Sequence, residues 1–198
     1  NISLVIAKAV VSLVKAGVPE HKIIEIGLDF GTSYRANGWG PGLTILTAMA
    51  NVLPKLDQYG KILALFQGLR HVASDSSGQA PHFHLQSLPD TNIPMERLIA
   101  WYRQCVEVRD TDGAKRILLT AIDRREETGK LMEMMMAAVT DHFYLDGGHT
   151  LDFHNKAFEA LELTDERHVP NILTSLVPML RDPSRSEESH NWNHPVNL

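Results

Sequence analysis

An all-α fold is the expectation for this chain, and three observations carry it. Apolar residues recur at helical spacing along almost every stretch between its Gly and Pro breaks. No stretch holds the sustained period-two alternation of a half-buried strand. The second half also repeats the helical pattern of the first at a fixed interval.

The elements follow in order. From Leu4 to Ala16 the apolar side chains are too dense for a surface helix, so a buried helix is predicted there. Gly17 stops it and Pro19 opens the next, which the pattern carries to about Asn37 with Glu20 in its first turn. Gly38-Trp39-Gly40-Pro41-Gly42 breaks the chain, and Trp39 is expected to plug the core. Leu43, Leu46, Met49, Ala50 and Leu53 then share one helical face, ended by Pro54. A fourth helix, from Gln58 to about Asp75, turns Ile62, Leu65, Phe66, Leu69 and Val72 inward. Ser74 to Pro94, rich in Ser, Gly, Pro and Asp, reads as an irregular segment. A helix over Pro94–Asp110 follows. Beyond it, Leu131, Met135, Ala138, His142 and Leu145 form one stripe, and Leu151, His154, Phe158 and Leu161 another.

Sliding the chain by 108 positions pairs residues 22–82 with 130–190, ten of the 61 pairs being identical. The count is modest. The coincidence of the Gly-containing break, the apolar stripes and the polar tails argues more strongly for a tandem duplication. One gap near Gly17 also brings Ala7-Lys8 onto Ala114-Lys115. Pseudo-repeats of about 1–93 and 94–198 would bury their faces on each other in one all-helical bundle. The helix over Pro94–Asp110 has no counterpart in the first repeat, so either that repeat lacks it or the natural chain continues upstream.

Composition narrows the function classes. With 19 basic against 24 acidic residues the net charge is −5, which speaks against a nucleic-acid binder. No apolar run is long enough to span a membrane. Cys105 is the single cysteine, so the chain has no internal disulfide or CxxC pair, and a reduced cytoplasmic setting fits. Flanked by Trp101, Val106 and Val108, it reads as buried and inert.

Ten histidines make imidazole unusually frequent. The densest polar stretch, DHFYLDGGHTLDFH from Asp141 to His154, sets His142 and His154 on inward stripes beside Asp146 and Asp152. Imidazole with carboxylate is the ligand chemistry of a non-haem iron, manganese or zinc site. The plainer reading is a core histidine bonded to a backbone carbonyl, with Asp146 a turn residue before Gly147-Gly148. His154 takes the slot that Leu46 fills in the first repeat. Asp146, His149 and His154 make a D-x2-H-x4-H string, but five helical residues turn about 140°, so His149 and His154 diverge. His149 and Asp152 share a face better. His71 and Asp75, four apart, face away from their helix's main stripe and are expected to meet the other repeat. His142 aligns with Tyr34 and His71 with Met179, so any site is single and asymmetric. A metal set is therefore drawn from His142, Asp146, His149, Asp152, His71 and Asp75, and an acid–base pair from Tyr34 and His142. The tails carrying His82, Phe83, His84, His190, Trp192 and His194 read as loops packed around an aromatic anchor. The four methionines between Met132 and Met136 read as deformable core. No P-loop, GxSxG or HExxH pattern occurs.

The stretches NISLVIAKAVVSLVKAGV, GWGPGLTILTAMANVLP, RHVASDSSGQAP and TDHFYLDGGHTLDFHNKAFEALE resemble the helical region that follows a Rieske [2Fe–2S] domain in certain bacterial proteins. The resemblance covers nearly the whole chain. It implies an upstream domain holding the cluster through two Cys and two His, a ligand set this chain does not contain. It also implies that His154, where relatives carry apolar or small residues, is a poorer ligand than His142, Asp146, His149 and Asp152. Two functions follow as expectations. One is a helical oxidoreductase component with a single Fe or Mn site or a small-molecule pocket. The other is a non-catalytic scaffold docking a redox partner, with a second copy of the chain as a further candidate partner.

Overall fold

The computed structural model describes residues 2–89, 92–142 and 145–181, and among these it contains nine α-helices and no strand. The helices are α1 (Ile2–Lys15), α2 (Glu20–Ser33), α3 (Pro41–Val52), α4 (Gln58–Ser76), α5 (Met95–Glu107), α6 (Thr111–Asp123), α7 (Thr128–Thr140), α8 (His149–Leu161) and α9 (Val169–Thr174). None is long and apolar enough to cross a membrane. The chain divides into two units, Asn1–Phe83 with Lys156–Ser175, and His84–Asn155 with Leu176–Leu198.

In the first unit α3 and α4 pack most extensively, and glycine is the reason they approach so closely. A Cβ on Gly42 would stand 2.6 Å from the His71 carbonyl oxygen, and one on Gly68 2.9 Å from the Cα of Leu46. Leu46, with no exposed surface, fills the space left by Gly68 of α4 and Gly27 of α2. Trp39 plugs the core as expected; its indole N–H donates to Thr44 Oγ1 at 2.9 Å, and its backbone N–H donates to the Ser175 carbonyl at 2.6 Å. α2 stops at Ser33, short of the predicted Asn37. The Arg35 guanidinium donates to the carbonyls of Gly38 and Trp39, and Gly38, at φ 83°, turns the chain back.

α1 overturns an expectation. Its density of apolar residues predicts a buried helix, yet Val10 alone is buried. α1 packs chiefly on α4 and more lightly on α2.

In the second unit α5 packs on α6 and α7, and the turn Val177–Arg181 lies on α6. Asp110 starts α6 by accepting the Gly113 N–H at 2.9 Å, as Asp57 starts α4 with Gly60. Met134 and Met135 lie in the core, whereas Met132 is exposed. On α8 the stripe beginning at Leu151 needs correction. Leu151 is exposed and Leu161 half-buried, while His154 and Phe158 of that stripe are buried together with Thr150, Phe153, Ala157 and Ala160.

Helix borders recur at the interval of the sequence alignment. α2 and α3 begin at 20 and 41, α7 and α8 at 128 and 149. α1 and α6 end on the same left-handed stop, at Gly17 (φ 75°) and Arg125 (φ 57°). At each, two N–H groups return to the last turn: Val18 to Leu13 and Gly17 to Val14, Glu126 to Ala121 and Arg125 to Ile122.

Candidate functional site

His142 follows directly on α7, and its side chain is only 8% exposed. Its Nε2 stands 3.2 Å from Glu107 Oε2 on α5. One residue earlier, Asp141 accepts a two-point contact from Arg103, at 2.7 Å from Nε and 2.6 Å from Nη2. That contact, the hydrogen bonds first and charge after, holds the Asp141 carboxyl below its usual range. Arg103 and Glu107 are four apart on α5, so the pair Asp141–His142 meets one face of that helix as two rungs. Neither α5 residue was among the sequence candidates. The signal was present in the R-x3-E spacing on a helix whose opposite face is apolar.

His154 lies in the core with no exposed surface, as Leu46 of α3 does. Its Nδ1 is 2.7 Å from the Thr150 carbonyl of its own helix and donates to it. Burial drives its pKa down to about 4, against the raising effect of that hydrogen bond, so the ring is neutral at neutral pH. Nε2 has no partner among the described residues.

The remaining candidates each lie within one unit. Asp146 has left-handed backbone (φ 50°, ψ 45°) in the Leu145–Gly148 turn that leads into α8, a conformation Asp tolerates better than most residues. His149 is exposed and stacks on Phe153 with ring centroids 5.6 Å apart. Asp152 is exposed in the first turn of α8, where a carboxylate suits the helix dipole. Asp75 corrects the expectation that it would meet the other repeat. It accepts the Gly42 N–H at 2.6 Å and so caps α3 within its own unit. His71 Nε2 is 3.3 Å from the Arg70 guanidinium. Tyr34 caps α2 at the surface and stacks on Phe30, 5.1 Å away. Tyr34, His71 and Asp75 belong to the first unit, and His142, Asp146, His149 and Asp152 to the second. Among the described residues no three His, Cys, Asp or Glu side chains converge in a way that holds a metal ion.

Phe83 is exposed, so it is not the anchor of its loop; His82 is the buried residue, and its N–H donates to the Ser33 carbonyl at 2.7 Å. His190, Trp192 and His194 lie outside the described residues. Cys105 is half-buried, not buried, 4.0 Å from Asp110, and burial pushes its thiol up from the usual value, with Asp110 adding to the effect. It is therefore a protonated thiol and a weak nucleophile at neutral pH.

Two hollows of the first unit escaped the sequence reading. One, of about 570 Å³, is lined by Lys22, Glu25 and Asp29 of α2 with Arg167, His168 and Asn171. The buried Glu25 carboxylate sits 2.9 Å from Lys22 and 3.7 Å from Arg167, and Arg167 Nε donates to His168 Nε2 at 3.1 Å. Asp165 adds a second carboxylate to both cations, so the positive charge here is already matched. The other hollow, about 220 Å³, is walled by α1 and α2 and floored by α4, and every residue lining it is apolar or Gly.

No known family model matches the chain, and no curated protein or solved structure is significantly similar to it.

Proposed function

We propose that this chain is a non-catalytic helical scaffold and interaction domain, and that its working surface is the uncovered side of α1 with the neighbouring side of α2. One observation carries the reading: α1 has the composition of a buried helix and is left open by the helices around it. The polar candidates support the same view. Asp75 caps a helix, His154 bonds its own helix backbone, and His149 stacks on Phe153. In the resemblance to Rieske-associated helical regions, an electron-transfer module is the companion such a scaffold would carry.

A second reading, an oxidoreductase component with one Fe or Mn site, is favoured by His142 alone, a shielded imidazole beside the Glu107 carboxylate. Elemental analysis separates the two. The purified chain and its His142→Ala variant are expected to carry less than a tenth of an equivalent of any transition metal. Stoichiometric iron or manganese lost in His142→Ala would establish the redox site and end the scaffold reading.

A further inference from the structure

We draw no further inference here: the strongest candidate, the charged hollow lined by Lys22, Glu25 and Asp29 of α2 with Arg167 and His168, carries nothing, because Glu25 and Asp165 already match its cations and nothing among the described residues shows what ligand it would take.

Discussion

α1 and α3 are both apolar helices of one unit, and the fold treats them oppositely. α3 buries Gly42, Leu43, Leu46, Thr47 and Ala50, whereas α1 buries Val10 alone. Apolar content does not separate them. The difference lies in what each can approach. Gly42 and Gly68 let the backbones of α3 and α4 come nearly into contact, and Asp75 fastens the start of α3 to the end of α4. α1 has no glycine within it and, among the described residues, no cross-link of that kind, and it meets α4 and, more lightly, α2. The lesson is that an apolar helix is buried where its neighbours have made room for it. Otherwise its apolar side is left for something else.

Substitutions can break that contrast, starting where the packing is tightest. Leu46→Ala empties the space between Gly27 and Gly68 and is expected to destabilise by about 4 kcal/mol, read from urea unfolding. A loss under about 1 kcal/mol would mean that the α3 contact is loose.

His154 carries the same burial over to a group that titrates. Its folded pKa lies near 4, below the ordinary value of 6.5, so the fold favours the neutral ring. Stability is therefore whole above about pH 6.5 and is lost as pH falls towards 4, because the unfolded chain takes the proton first. The loss is expected to reach about 3 kcal/mol at the acid end of that window. His154→Leu, which installs the residue found at position 46, should remove this part of the acid sensitivity while leaving stability near pH 7 little changed. An unaltered pH slope in that variant would contradict a buried neutral imidazole.

Smaller effects sharpen the comparison. Asp75→Ala removes the acceptor for the Gly42 N–H and is expected to cost about 1 kcal/mol, with faster amide exchange in the first turn of α3. Val5→Ser on α1 should change stability by less than about 0.5 kcal/mol. A cost like that of a core residue would show that α1 is covered within the chain after all.

Much of the fold was legible in the residues. The break at Gly38–Gly42, the inward stripes of α3 and α7 and the plug at Trp39 all follow from spacing, because side chains on a helix repeat by geometry. The candidate site was less legible. The dense run from Asp141 to His154 looks like a cluster in one dimension. A left-handed turn at Asp146 and a helix that rotates each residue by about 100° disperse it in three. The partners of His142 and Asp141 come from α5, more than thirty residues away, and the R-x3-E spacing there marks a polar face without saying which residues it meets.

By itself, then, the sequence determined that the chain is helical, where its helices break, and which residues of each stripe are apolar. Those properties depend on propensity and on period within a few turns. Only the tertiary structure decided that α1 stands open, that Asp75 is a cap, and that the histidines serve separate neighbours. Those outcomes depend on which helices touch, a matter of close approach between segments far apart in the chain.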